Sequence, residues 1–120
     1  MDSKFYVSLE AARLLKEKGY DIKRDFLTPV YNENGCLYWS NHEDLSDKIP
    51  AITKAEAIDW LESKGIIIEL SVTHNLCHWV FSIYMKGGED ILTNTDFDFE
   101  SFTTRLEAEE AAIINASKLL

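Results

Sequence analysis

One short phrase is written twice in this chain. Glu10-Ala11-Ala12-Arg13-Leu14-Leu15-Lys16-Glu17-Lys18-Gly19-Tyr20-Asp21-Ile22 returns 46 residues later as Glu56-Ala57-Ile58-Asp59-Trp60-Leu61-Glu62-Ser63-Lys64-Gly65-Ile66-Ile67-Ile68. Six of the 13 aligned positions are identical, the closing Lys-Gly among them. Each copy predicts a helix with a glycine just past its end, because glycine reaches the left-handed conformation that closes a helix at little steric cost. Both glycines lead into more extended sequence. An old duplication of a helix-strand unit would explain the repeat. So would the ordinary convergence of helical faces on Leu, Ala, Glu and Lys, and both explanations stay open.

The caps sharpen the reading. Ser8 is placed to cap the first helix, whose apolar face is Leu9, Ala11, Ala12, Leu14 and Leu15. Thr53-Lys54-Ala55-Glu56 fits a capping box ahead of a second helix that buries Ala57, Ile58, Trp60 and Leu61. Thr104-Arg105-Leu106-Glu107 is a second such box, opening a C-terminal helix with Ala108, Ala112, Ile113, Ala116 and Leu119 on one side.

Strand signals lie between these helices. Asn32-Glu33-Asn34-Gly35 separates two β-prone runs, Thr28 to Tyr31 and Cys36 to Trp39, and predicts a hairpin. Ser40 to Pro50 is polar and reads as a surface loop. Ile66, Ile68, Leu70 and Val72 alternate with Ile67, Glu69, Ser71 and Thr73, as a half-buried strand would. Trp79, Phe81, Ile83 and Met85 then alternate with His78, Val80, Ser82 and Tyr84, giving its antiparallel neighbour. Lys86-Gly87-Gly88 is a further turn, and Asp90 to Thr93 opens a third strand that Asp96 to Glu100 would continue. The expected fold is α+β, in the order α-β-β-α-β-β-β-α. It has an antiparallel sheet of about three strands plus an N-terminal hairpin, with helices packed on one face.

At 120 residues the chain is one domain, 1–120, long enough for a core without staples. Its formal charge of −9 disfavours direct contact with nucleic acid or an anionic membrane, both of which need cations. It suits a basic protein partner. No basic-then-apolar leader and no apolar run of about 18 residues is evident, so the expected location is cytoplasmic. Cys36 and Cys77 are expected as free thiols.

The helix-strand-strand-strand-helix order of the second half resembles double-stranded RNA binding modules. However, residues 87–110 carry eight acids against the single base Arg105, which would repel phosphate. Asn94-x-Asp96-x-Asp98 opens like a calcium loop, but Phe99 stands where a turn glycine is needed and Arg105 where the closing Glu belongs. On a strand, Asp96, Asp98 and Glu100 would share one face and could hold a hard cation weakly. The plainer reading is a solvated face that protects a sheet edge. His74-x-x-Cys77-His78 lacks a fourth zinc ligand nearby. No phosphate loop, nucleophile elbow or signed Cys-His arrangement is present, so the sequence nominates no catalytic residue, no metal ligand and no cofactor.

Aromatic residues remain. Phe26, Tyr31, Tyr38 and Trp39 lie in or near the first hairpin, and Val80 and Tyr84 lie on the strand face opposite Trp79, Phe81 and Ile83. Left exposed, they would anchor a protein partner. Packed onto the sheet, they would be core.

Tyr6-Val7-Ser8 with Ala12-Arg13-Leu14-Leu15-Lys16-Glu17-Lys18-Gly19, Thr53, Ala57, Trp60-Leu61, Lys64-Gly65, Trp79, Glu107-Ala108-Glu109 and Ala111-Ala112-Ile113 carry a resemblance. The chain resembles a group of small proteins of unknown function from gut Bacteroidales genomes and their phages or prophages. That resemblance implies an accessory protein of a mobile element and transfers no activity or site.

The expected function is a non-enzymatic protein-protein interaction module, with Tyr31, Tyr38, Trp39, Tyr84, Asp96, Asp98 and Glu100 as partner-binding candidates. Two alternatives stand beside it. One is an acidic mimic of nucleic acid that inhibits a DNA- or RNA-binding protein, the other a metal-assisted hydrolase using the same carboxylates. Self-association through a sheet edge is left open.

Overall fold

The structure, a computed structural model, describes residues 3–20, 28–32, 34–40, 48–73, 77–87, 91–94 and 101–120. A 3-10 turn, Ser3–Phe5, precedes α1 (Leu9–Glu17). The Ser8 hydroxyl caps α1 by accepting the Ala11 amide at 3.2 Å, and Ala11, Ala12 and Leu15 are buried as the spacing requires. Strands β1 (Thr28–Tyr31) and β2 (Leu37–Ser40) form the predicted hairpin, with Tyr31 opposite Leu37 and Thr28 opposite Ser40. Asn32 builds the turn: its side-chain oxygen accepts the amides of Asn34 and Cys36, both at 2.9 Å. Gly35 takes φ +81° there, and a Cβ on it would already touch Leu9 at 3.4 Å.

The segment expected as a surface loop is different at both ends. Ser40 belongs to β2 and is buried, and Ile49–Pro50 forms β3 on the other side of β1, giving the sheet order β2-β1-β3. That pairing is short for a chemical reason. Pro29 accepts the Ala51 amide at 3.0 Å but has no N–H to return the bond, so the ladder goes no further. Composition favoured a loop here because the apolar residues that pair number only two.

Helix α2 (Lys54–Ser63) starts from Thr53, whose hydroxyl accepts the Glu56 amide at 3.2 Å and lies 2.9 Å from the Glu56 carboxylate. After Gly65 come β4 (Ile66–Val72), β5 (Trp79–Met85) and β6 (Ile91–Asn94), an antiparallel sheet in that order. The β5–β6 register slips at Ile83/Tyr84. Trp79 and Phe102 then exchange two backbone hydrogen bonds, of 2.7 and 2.8 Å, which anchor the chain beside β5 just ahead of α3 (Arg105–Ser117). The Thr104 hydroxyl caps α3 by accepting the Glu107 amide at 3.2 Å.

The fold is α+β, and α2 and α3 pack on the β4-β5 sheet. One core joins all three helices to both sheets: Leu15, Tyr31, Leu61, Ile66, Phe81, Ile83 and Ile113 belong to it. Three edges of the expected pattern differ. Val72 and Met85, at the ends of their strands, are exposed, as is Leu119, which lies beyond the end of α3. Val80, expected on the open face, is buried. Among the described residues no helix is long and apolar enough to cross a membrane.

Candidate binding site

Helix α3 carries two stripes. Ala108, Ala112, Ile113 and Ala116 face the core and are fully buried. Glu107, Glu110, Ala111 and Ile114, spaced three and four apart, form a second stripe that lines an open cleft of about 1360 Å³. The opposite walls are the N-terminal segment from Lys4 to Leu9 and the hairpin turn from Gly35 to Leu37. Two backbone contacts fix the N-terminal wall. The Val7 amide donates to Ile52 at 2.8 Å, and Tyr6 forms a bridge with Thr53.

Most of the surface is apolar, and three of the polar groups set into it are hydrogen-bonded to the N-terminal wall. Lys54, the first residue of α2, is only 7% exposed, and its ammonium donates to the Lys4 carbonyl at 2.6 Å and the Tyr6 carbonyl at 3.0 Å. Burial of a lysine head is tolerable because those two oxygens replace water. The Tyr31 hydroxyl, also buried, donates to the Val7 carbonyl. Burial first, then the Glu110 charge and then Tyr6 push the Tyr31 pKa above its ordinary value. Tyr31 is therefore held as a neutral donor.

Glu110 is the third group. One carboxylate oxygen, Oε1, accepts the Ser8 amide at 3.0 Å and so ties α3 to the N-cap of α1. The other, Oε2, is buried and makes no hydrogen bond. Such a group costs about 1–3 kcal/mol while it stays unpaired, and native chains hold few of them.

The sequence-nominated residues are scattered around this geometry. Tyr31 is core and lines the cleft. Tyr38 is half-buried, and Trp39, on the same strand, is 49% exposed. Tyr84 is half-buried on the other sheet, opposite Ile67, and so shares no strand pair with Trp39. Phe26, Asp96, Asp98, Glu100 and His74 lie outside the described residues. Among the described residues no three His, Cys, Asp or Glu side chains converge on a point where a metal ion would sit. Cys36 and Cys77 are exposed thiols.

Lys54 and Glu110 were missed by sequence reasoning. Lys54 reads as an ordinary solvated residue in a capping box, and Glu110 as one more acid in a charged run. The available signal was the second stripe of α3, where Ala111 and Ile114 share a face with Glu107 and Glu110. No protein-family model matches the chain, and no curated protein or solved structure matches it either.

Proposed function

We propose that this chain is a non-enzymatic interaction module that binds a basic protein segment through the β2 edge of its first sheet. The observation that carries the reading is Trp39. Nearly half of this large apolar side chain stands in solvent on a strand that, among the described residues, has a strand neighbour on one side only. Tryptophan so placed can bury a large area against a partner at low entropic cost, and an open strand edge offers main-chain hydrogen bonds to an added strand. The net charge of −9 favours a basic partner. The likeness to mobile-element proteins supports an accessory role in the cytoplasm of a phage's or prophage's host.

A second reading rests on charge distribution. Residues 61–120 carry 4 basic and 10 acidic side chains (−6), against 8 and 11 (−3) for residues 1–60. That asymmetry fits an acidic mimic that occupies a nucleic-acid-binding protein.

A pull-down from host lysate, with wild type and Trp39→Ala at low and high salt, separates the two. A partner retained at high salt and lost with Trp39→Ala supports the edge-strand module. A basic nucleic-acid-binding protein captured only at low salt, indifferent to Trp39→Ala, supports the mimic instead. Far-UV circular dichroism of the variant checks that the fold survives.

A further inference from the structure

We propose that the segment bound at β2 carries two large apolar side chains two residues apart, the first beside Trp39 and the second entering the cleft. This rests on the edge-strand reading above and extends it to the partner's side chains. Hydrogen bonding alternates along an antiparallel strand. The Asn32 amide donates to the Cys36 carbonyl at 2.9 Å, and the register runs unbroken from Tyr31–Leu37 to Thr28–Ser40. Tyr38 and Ser40 therefore turn their amides and carbonyls toward β1, while those of Leu37 and Trp39 point to the outer edge. Among the described residues no strand meets them there. Edge strands are commonly protected by a charge, a proline or a bulge. β4, also at an edge, carries Glu69, and β3 is a two-residue strand ending in Pro50. Leu37–Ser40 has none of the three.

The faces then say what the added strand must carry. Leu37 lies opposite Tyr31 and both line the cleft, and Trp39, two residues on, shares their face. The N-terminal segment closes the cleft on the β3 side, through the Tyr6–Thr53 bridge and the Val7–Ile52 bond. On the β2 side its wall is the stretch from Gly35 to Leu37. An added strand, antiparallel like the pairs already present, exchanges backbone bonds first with Trp39 and then with Leu37. Its residue opposite Trp39 packs on the indole. The residue opposite Leu37 stands at the mouth of the cleft. That residue is uncharged and apolar, because Lys4 and Lys54 in the lining offset Glu107 and Glu110. Leu9, Phe102 and Ile114 are only partly buried there and have apolar surface left to cover. The positive charge of the partner belongs on its flanking residues.

Random nonapeptides displayed on phage, selected against the immobilised full chain, supply the probe. Enriched sequences should share a large apolar or aromatic residue, any one residue, then a second large apolar residue. A labelled peptide of that sequence, titrated by fluorescence anisotropy, should bind at least about tenfold more weakly when either apolar residue is N-methylated. N-methylation of the residue between them should cost less than about threefold, because its amide faces away from β2. Alanine at the second apolar position should weaken binding by about tenfold. Leu106→Trp, which fills the cleft, should do the same to the parent peptide and leave the alanine peptide unchanged. The peptide variants use the unaltered protein and decide the matter if Leu106→Trp does not fold. Enriched peptides without the paired apolar residues would overturn the inference. So would a peptide that tolerates the alanine change or N-methylation at the apolar positions. If such peptides are still lost with Trp39→Ala, the edge-strand reading stands without the cleft. No enrichment, or undiminished binding in folded Trp39→Ala, would remove both.

Discussion

The two copies of the repeated phrase become two helices that are alike inside and unlike at both ends. Ala11 and Leu15 in α1 match Ala57 and Leu61 in α2, and all four are fully buried. Both helices close the same way, with the Gly19 amide bonded to the Lys16 carbonyl at 3.1 Å and the Gly65 amide to the Glu62 carbonyl at 2.9 Å. The entries differ. In the repeat, Ser8 aligns with Lys54, yet Ser8 caps its helix from outside while Lys54 is already helical. The cap of α2 lies one residue earlier because Thr53 is held in extended form by its bridge to Tyr6.

The exits differ more. Tyr20 completes a Schellman closure by donating its amide to the Leu15 carbonyl at 3.0 Å. Its ring then meets Trp60 of α2 edge-on, with centroids 5.5 Å apart. The aligned residue Ile66 is buried and opens β4 opposite Met85, and the Lys86 amide bonds the Gly65 carbonyl at 2.6 Å. Phrase and glycine dictate the helix and its end. Where the chain goes next is dictated by the surface that waits for it.

Substitutions at matched positions test how far the likeness extends. The largest effect is expected at the leucines: Leu15→Ala and Leu61→Ala should each cost about 2–5 kcal/mol in urea unfolding, since both side chains are fully buried. A much smaller loss at Leu15 would break the equivalence and show that α1 sits on a softer part of the core.

Gly19→Ala and Gly65→Ala should follow, at about 1–2 kcal/mol each, because both glycines have positive φ (105° and 88°). A Cβ at Gly19 would meet nothing within 4 Å, and one at Gly65 would reach Lys86 and Met85 only at 4.0 Å. The cost is therefore backbone strain and should be equal in the two copies by the same unfolding measurement. A clearly larger loss at Gly65 would mean that the direct passage into β4 adds to it.

The smallest effect concerns the exit of α1 alone. Burial, then the charge of Glu56 and a hydrogen bond to it, raise the Tyr20 pKa above the ordinary 10.0. The folded chain therefore keeps this proton at a pH where the unfolded chain has lost it. The contribution to stability is complete below pH 10 and declines as the pH rises through the raised value. Tyr31 acts with the same sign. Unfolding followed from pH 8 to 11 should show wild type losing stability above pH 10 and Tyr20→Phe losing less. Identical profiles would remove Tyr20 from the alkaline response.

The helices, their caps, the Asn-Gly turn and the β4–β5 pairing were all readable in the sequence, because each depends on residues close together in the chain. Strand β3 was not, since two residues carry too little pattern and its existence depends on β1 lying alongside. Nor was the burial of Val80, whose alternation placed it outward. Of the cleft, only the second stripe of α3 was written in the sequence. The orphaned oxygen of Glu110 needs Ser8, 102 residues away, to hold the carboxylate in place.

By itself, then, the sequence determined the local elements: side-chain periodicity sets which face of a helix or strand is apolar, and hydroxyls and glycines set where helices begin and end. Only the tertiary structure decided that Lys54 is buried, that Tyr31 is core while Trp39 is exposed, and that one oxygen of Glu110 is left without a partner. These depend on distant segments competing for the same few donors and acceptors, and that competition is settled only when the segments meet.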